Sequence, residues 1–270
     1  MKPFSAAAIQ MNSQPDLDHN LDEAYTSIRK AAGEGALFVG LPENFSFLGS
    51  LERRLDQAGS IGDRVPGFLA DTAREFEIYL LGGSYPIPDG EGKVYNRSQL
   101  HGPSGDLLAT YDKIHLFDVD LPEGESYRES DFVHAGEIDP VTYRDGAIGT
   151  VGLTICYDLR FPELYRKLSE AGADLLCVPS AFTATTGKDH WQPLLRARAI
   201  ENTAYIFAPA QTGVHGKKRQ THGHSMIIDP WGDILAEGGT DSGIQYANID
   251  PGRLRDVRSR IPSLEHRTIY

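Results

Sequence analysis

The sequence predicts an α/β fold with mixed sheets, and two observations support that prediction. Short apolar runs rich in β-branched residues alternate with amphipathic helical stretches along the 270 residues. Turn residues at 102–105 and 229–232 predict β-hairpins, which add antiparallel strands to the sheets. No Pro/Ser-rich linker or long polar tract interrupts the chain, so we expect residues 1–270 to form one domain.

The first half of the chain begins with strands and helices in alternation. The apolar run FSAAAIQM predicts a strand, and the amphipathic stretch after it predicts a helix that ends at a glycine. A second apolar run ends at Glu43, and a hairpin over VYNRSQLHGPSGDLLATYDK leaves Lys113 at its exit. The predicted elements are a strand over 4–11, a helix over 21–35, a strand over 36–43, a helix around 66–76, a strand over 78–87 and a hairpin over 94–113.

The second half continues the alternation after an irregular segment over 114–137. An apolar run over 148–155 predicts a buried strand, and Pro162 is typical of the first position of a helix. Cys156 lies between the two, where a sharp turn would expose its side chain. The remaining predicted elements are a helix over 162–171, a strand over 173–181, a helix over 190–202, a strand over 204–211 and a hairpin over 224–238.

Composition restricts the partners and the compartment. The formal net charge of -12 argues against nucleic acid and anionic membranes, because both bind basic surfaces. No apolar run approaches the roughly 20 residues of a transmembrane helix, and the first ten residues lack the pattern of a signal peptide. With only two cysteines, a disulfide framework is not expected. We therefore expect a soluble, cytoplasmic protein with reduced thiols.

Three reactive side chains each follow a predicted strand: Glu43, Lys113 and Cys156. Sites collect at the strand ends of α/β sheets, so the three can converge. A cysteine that attacks an amide needs a base, and a glutamate serves if burial raises its pKa. A lysine beside both would stabilise the developing oxyanion. Taken one at a time, each residue has an ordinary structural explanation, as a packed thiol or a solvated strand end.

The segments around these residues resemble the three catalytic motifs of the nitrilase superfamily, the carbon–nitrogen hydrolases. The segments are FVGLPENF, TYDKIHLFDVD and VGLTICYDLRFPEL. The resemblance, which runs from about 4 to 250, implies a Glu43–Lys113–Cys156 triad and a second essential glutamate at Glu129. It also implies an αββα sandwich, a homodimer or higher homo-oligomer, and a site without metal or organic cofactor.

Within this superfamily the sequence favours an amidase. True nitrilases carry Cys-Trp-Glu at the nucleophile, whereas this chain has Cys156-Tyr157-Asp158. The segment over 179–232 is similar to the branch that holds deaminated glutathione amidases, with its Gln-x-Gly-x-His-x-x-Lys-Arg and Gly-His-Ser-Met elements. The resemblance implies hydrolysis of deaminated glutathione to 2-oxoglutarate and cysteinylglycine. The alternative is an ω-amidase acting on α-keto acid amides, or another small aliphatic amidase.

A basic segment in an acidic protein predicts a small anionic amide substrate. Arg160, just beyond the nucleophile, adds a further cation to the basic segment. The alternative explanation is a structural ion pair for Arg160 and a solvated hairpin tip for the basic segment. Tyr157 and Phe182 are candidates for shaping the acyl pocket. The basic segment comprises His215, Lys217, Lys218 and Arg219.

The sequence leaves two other classes of function open. A metallohydrolase would use loosely spaced histidines and aspartates, which fit zinc sites poorly: His115, Asp118, Asp120, His222 and His224. A catalytically inactive binding scaffold would not react with any amide. For the homodimer, the apolar residues Leu164, Tyr165 and Leu168 predict a helix face that needs cover, either by a partner or by the chain's own sheet.

Overall fold

Two β-sheets stacked face to face form the centre of the molecule, as the computed structural model shows for residues 1–216 and 219–269. The strands are β1 (Phe4–Gln10), β2 (Phe38–Gly40), β3 (Tyr79–Leu81), β4 (Tyr85–Pro88), β5 (Val94–His101), β6 (Leu107–Asp112), β7 (Asp118–Asp120), β8 (Ser126–Arg128), β9 (Thr142–Asp145), β10 (Gly149–Leu153), β11 (Leu175–Cys177), β12 (Tyr205–Ala208), β13 (Thr212–His215), β14 (Arg219–His222), β15 (Met226–Ile228), β16 (Ile234–Glu237) and β17 (Gly243–Ile249). The α-helices are α1 (Leu17–Gly33), α2 (Leu51–Phe76), α3 (Pro162–Glu170), α4 (Ala184–Asn202) and α5 (Pro251–Arg260).

The first sheet has the order β17-β1-β2-β3-β5-β4, with β6 paired to β5. The second has the order β16-β15-β12-β11-β10-β9. Each sheet has a parallel centre, β1-β2-β3 in one and β10-β11-β12 in the other, with antiparallel strands on both sides. The prediction of mixed sheets is therefore confirmed.

Successive side chains of β1 point alternately into two different cores. Phe4, Ala6 and Ala8 belong to the core shared with the second sheet, while Ala7 and Ile9 belong to the core under α1 and α2. The first sheet is thus apolar on both faces, as a sheet covered on both sides requires. Helices α3 and α4 contribute to the core on the other side of the second sheet, which gives the αββα order.

One close approach between the sheets requires glycine. A Cβ at Gly40 would lie 2.3 Å from Cε1 of Phe207, well inside van der Waals contact. The Phe207 ring fills this space and meets the ring of Phe38 edge-on at 5.1 Å. Glu43, three residues beyond Gly40, is thereby held against the second sheet.

Several predicted boundaries differ from the structure. Helix α2 begins at Leu51 with Ser50 as its N-cap, about four turns before the predicted start, and Pro66 lies in its interior. Helix α4 begins at Ala184 rather than at residue 190, and contains Pro193. In both cases proline or glycine lowers the helix propensity of the segment, and burial of an apolar helix face outweighs that cost in the structure.

The predicted strand over 78–87 forms two strands, because Gly82 and Gly83 separate β3 from β4. Gly83 has a φ of 50°, and a Cβ there would lie 2.0 Å from the Pro42 carbonyl oxygen. Strands β7 and β8 form a short ribbon inside the segment predicted as irregular. No element was predicted for β17 and α5.

The apolar face of α3 does not support the homodimer. Leu164, Tyr165 and Leu168 are buried in the chain's own core, so their pattern is explained without a partner. Over residues 1–216 and 219–269, no helix combines the length and the apolar character that crossing a membrane needs.

Candidate active site

Ends of strands from both sheets bring four reactive side chains together. Glu43 follows β2 and Lys113 directly follows β6, both in the first sheet, whereas Cys156 follows β10 in the second. Glu129 begins a single 3₁₀ turn after β8. All four side chains are buried, with Cys156 8% exposed. The convergence expected from the strand ends is thus present in the structure.

The turn at Cys156 is a strained one. Cys156 has a φ of 48°, in the left-handed region that non-glycine residues rarely adopt. Its N–H donates to the carbonyl oxygen of Pro179 at 3.0 Å. A 3₁₀ helix over Cys156–Arg160 separates the strand from α3, a step that the sequence analysis did not predict. This geometry turns the Cys156 side chain away from the strand, as a nucleophile requires.

Asp158 stabilises this turn through hydrogen bonds to its carboxylate. Its Oδ2 accepts from the Ile155 N–H at 2.8 Å and from the Tyr111 hydroxyl at 2.6 Å. Its Oδ1 accepts from His115 twice, from the backbone N–H at 3.1 Å and from Nδ1 at 2.7 Å. The carboxylate is completely buried, so these four donors satisfy a charge that would otherwise be costly.

Lys113 connects the two glutamates. Its Nζ donates to Glu43 Oε1 at 3.1 Å and to Glu129 Oε2 at 2.8 Å. The other Glu43 oxygen, Oε2, accepts from the Ala181 N–H at 2.8 Å, and Oε1 also accepts from Asn96 Nδ2 at 3.0 Å. Glu43 is therefore fixed from both sheets before any substrate binds.

The pKa of Glu43 is shifted in the opposite direction to the one expected from the sequence. Burial favours a higher pKa for Glu43, but the Lys113 ammonium and a hydrogen bond from the Cys156 thiol outweigh it and hold the pKa below its ordinary value. The expectation of a burial-raised base is therefore wrong. Burial and the nearby Glu43 charge raise the pKa of Cys156 well above its usual range. Burial acts to lower the pKa of Lys113, yet Glu129 and Glu43 raise it overall.

A cavity of about 680 Å³ opens beside these residues, a volume typical of a small-molecule site. Of the substrate-binding candidates, Tyr157, Phe182, His215 and Arg219 line it. Lys217 and Lys218 lie outside the described residues.

Arg160 has a different location from the one expected. Its guanidinium carbon lies 5.4 Å from the centre of the Phe182 ring and 5.9 Å from that of Tyr157, and Nη2 lies 3.2 Å from His190 Nδ1. Arg160 is not among the residues that line the cavity. Its guanidinium therefore packs over two rings that line the cavity.

His215 is not a cation in this structure. Its Nδ1 donates to the Ser13 carbonyl oxygen at 2.7 Å, so Nε2 accepts from the Thr221 hydroxyl at 2.7 Å. Burial lowers the pKa of His215 to about 4. The expectation that His215 adds positive charge is wrong, because the neutral ring ties the β13–β14 ribbon to the start of the chain.

Sequence reasoning missed Arg54, which also lines the cavity and is 4% exposed. The spacing of apolar residues along α2 could have indicated that Arg54 is buried. Arg54 lies in register with the buried residues Ala58, Ile61, Val65 and Leu69, on the apolar face of the helix. An arginine at such a position needs an explanation, because charged side chains are rarely buried unless they are paired.

The histidines and aspartates considered for a metal do not share one location. His115 pairs with Asp158, and Asp118 accepts from the Ser130 N–H at 3.0 Å. His222 stacks on His224, whose Nδ1 lies 3.1 Å from a Glu237 oxygen. Over the described ranges, no group of three or more His, Cys, Asp or Glu side chains is arranged to hold a metal ion.

Comparison with known families identifies the fold and its chemistry. The family model for carbon–nitrogen hydrolases matches residues 5–259. The chain belongs to the carbon–nitrogen hydrolase family. Known carbon–nitrogen hydrolases that resemble it include a deaminated glutathione amidase from Synechocystis, 55% identical over 269 residues that cover 99% of both chains.

Two further known proteins cover nearly all of this chain. Mouse omega-amidase NIT2 is 38% identical over 267 residues, 99% of this chain and 96% of its own. The crystal structure of the Caenorhabditis elegans NitFhit protein superposes with a TM-score of 0.92 at 38% identity, covering 99% of this chain and 66% of that one. The nitrilase-superfamily resemblance and the αββα fold are therefore confirmed.

Proposed function

We propose that this chain is a cysteine-dependent amidase that hydrolyses deaminated glutathione to 2-oxoglutarate and cysteinylglycine. The observation that carries the chemistry is the buried contact of Lys113 with both Glu43 and Glu129 beside Cys156. The 55% identity to a deaminated glutathione amidase over 99% of both chains supports the choice of substrate.

Acylation begins with an ionised Glu43 and a neutral Cys156 thiol, because their pKa values lie below and above their ordinary values respectively. Glu43 takes the thiol proton as sulfur attacks the amide carbonyl, so a free thiolate never accumulates. Lys113 and the N–H of Tyr157 stabilise the oxyanion of the tetrahedral intermediate. Glu43 then returns the proton to the departing amine of cysteinylglycine, which leaves a thioester on Cys156.

Deacylation uses the same groups with water as the nucleophile. Glu43, again ionised, removes a proton from water as its oxygen attacks the thioester carbonyl. Collapse of the second tetrahedral intermediate releases 2-oxoglutarate, and the proton on Glu43 returns to the Cys156 sulfur. Glu129 keeps Lys113 in place through its 2.8 Å contact and positions substrate and water.

The alternative substrate class is a small α-keto acid amide. The 38% identity to omega-amidase NIT2 over nearly the whole chain favours this possibility next. α-Ketoglutaramate has the same acyl half as deaminated glutathione but releases ammonia and lacks the distal carboxylate. Arg219, which lines the cavity, is the described cation of the basic segment that we assign to that carboxylate.

Intact-mass spectrometry with kinetics tests the proposal. Deaminated glutathione should place an acyl group on Cys156 and turn over faster than α-ketoglutaramate, and both should exceed neutral amides and nitriles. Cys156→Ala and Glu129→Gln should be inactive but folded, with wild-type circular dichroism. An adduct on Cys177, or near-full kcat in Glu129→Gln, would contradict the site. Faster turnover of α-ketoglutaramate would favour the omega-amidase alternative.

The arginine at the hairpin provides a second test of the substrate. Arg219→Gln should lower kcat/KM for deaminated glutathione and spare α-ketoglutaramate, because the smaller substrate has no distal carboxylate. Equal losses on both would reject the assignment of Arg219. We further propose that the protein works as a cytoplasmic homodimer, an expectation that rests on the family resemblance and, for the compartment, on two free, buried thiols.

A further inference from the structure

Arg54 is a buried cation that no carboxylate contacts directly within the described residues. The side chain extends from the first turn of α2 into the cavity that contains Cys156. Over residues 1–216 and 219–269, its one side-chain hydrogen bond runs from Nη1 to Asn44 Oδ1 at 2.7 Å, and it forms no ion pair within 4.0 Å. The guanidinium has five N–H donors, so most of them remain available to a ligand.

The energetic cost of this arrangement indicates a ligand. A buried charge without a direct partner is unfavourable, and burial together with the Arg219 charge lowers the pKa of Arg54 although the Glu129 and Glu43 charges act to raise it. The nearest carboxylates cannot compensate for it by direct contact, because Lys113 already bridges Glu43 and Glu129. An anionic group that entered the cavity would supply the missing partner.

The order of events in the reaction indicates which anionic group Arg54 binds. In amide hydrolysis through a thioester, the acyl half stays on Cys156 after the amine has left, so the amine must lie toward the exit. Arg54 is almost completely buried, whereas Arg219 is half-buried on the β13–β14 ribbon. The deeper cation therefore suits the half of the substrate that stays.

We propose that Arg54 binds the carboxylate of the acyl half of the substrate, the one next to the 2-oxo group, and so selects α-keto diacid amides. This inference rests on the proposed function, since the acyl half is 2-oxoglutarate in that reaction and in its omega-amidase alternative. The planar guanidinium matches a carboxylate in a bidentate geometry. Arg54 would serve deaminated glutathione and α-ketoglutaramate equally, and Arg219 would distinguish them.

The hydrogen bond to Asn44 suggests the competing explanation. Asn44 follows Glu43 directly and has a φ of 54°, so Arg54 could act only by holding the loop that carries the base. A purely structural role would lower the turnover of every amide alike. Binding of the acyl carboxylate would instead weaken one product and leave the other unchanged.

Titration calorimetry with the two products separates these explanations. Wild type should bind 2-oxoglutarate, and Arg54→Gln should weaken that binding about 10- to 150-fold, the equivalent of one charged hydrogen-bonded contact. Cysteinylglycine binding should stay within about threefold, an energy difference below 1 kcal/mol. Arg54→Met is the second variant, because an unbranched apolar chain fits a buried position if glutamine does not. Arg64→Gln is the matched control, since Arg64 lies on the same helix in an exposed ion pair with Asp18.

Each outcome decides the assignment. Unchanged 2-oxoglutarate binding in an Arg54 variant of wild-type unfolding temperature would overturn it, as would a larger loss for cysteinylglycine or a wild type that binds no 2-oxoglutarate. The proposed function can fail separately. If wild type binds 2-oxoglutarate through Arg54 but does not hydrolyse deaminated glutathione, the anion site stands and the substrate assignment falls.

Discussion

Asp158→Asn should destabilise the fold and slow the enzyme, because Asp158 supports the turn of the nucleophile. The two carboxylate oxygens accept from four donors, two on each oxygen. An asparagine of the same size keeps one oxygen and replaces the other with an NH₂ group, which is itself a donor. The NH₂ group can donate to the Tyr111 hydroxyl or to His115 Nδ1, but the backbone N–H of Ile155 or of His115 on the same side loses its acceptor, whichever way the amide is turned. At least one hydrogen bond is therefore lost, and the others lose a charged acceptor.

The magnitude follows from the charge of the acceptor. Hydrogen bonds to a charged group contribute about 1.5–3 kcal/mol each, so the one necessary loss corresponds to about 1.5–3 kcal/mol. In a protein of this size 1 kcal/mol shifts Tm by roughly 2–4 °C, and Tm should fall by about 3–12 °C. Because the same contacts hold Cys156 in its strained turn, kcat should fall by about 100-fold, as for a misplacement near 1 Å.

Calorimetric unfolding and steady-state kinetics measure both effects. Tyr111→Phe, which removes one donor and leaves the carboxylate, should give a smaller loss of Tm than Asp158→Asn. Asp120→Asn is the matched control, since Asp120 pairs with Arg128 on the surface and should show no measurable shift. If Asp158→Asn unfolds within 2 °C of wild type with wild-type kcat, the turn does not depend on this carboxylate.

Three further predictions concern pH, inhibitors and assembly. Because the pKa of His215 is about 4 when folded and about 6.5 when unfolded, the unfolded chain takes up the proton first. The contribution of His215 to the free energy of unfolding should therefore be nearly constant above about pH 7.5 and about 2 kcal/mol lower at pH 5, and His222, whose pKa is also lowered to about 4, adds to the same slope. His215→Gln should remove that part of the slope in urea titrations, and an unchanged slope would contradict the neutral ring. Activity should survive EDTA and vanish with iodoacetamide, the reverse being the result expected of a metallohydrolase. Light scattering at micromolar concentration should give the mass of a dimer, and a stable monomer would reject that expectation.

Local sequence predicted the parts of the fold that depend on local patterns. Apolar runs located most strands, and turn residues located both hairpins. The start of α2 could not be found this way, because Gly59, Gly62 and Pro66 weaken the helix pattern and only packing against the first sheet compensates for them. For the same reason Arg54 escaped notice, since its importance depends on which face of that helix is buried.

Only some residues of the candidate site could be predicted from local sequence. Glu43, Lys113 and Cys156 could be proposed from their places after strands, whereas Glu129 came only from the family resemblance, because one carboxylate in a loop has no distinctive pattern.

The pKa of Glu43 could not be predicted from the sequence. Burial could be inferred for Glu43 from its apolar surroundings, and burial alone raises the pKa of a carboxyl group. The sign reverses because Lys113, 70 residues away in the chain, lies 3.1 Å from the carboxylate. In the proposed mechanism, a base that is ionised in the resting enzyme beside a neutral thiol means that proton transfer has to accompany attack. Substrate binding rather than a standing thiolate then controls when Cys156 becomes reactive, which protects the thiol from oxidants while the cavity is empty.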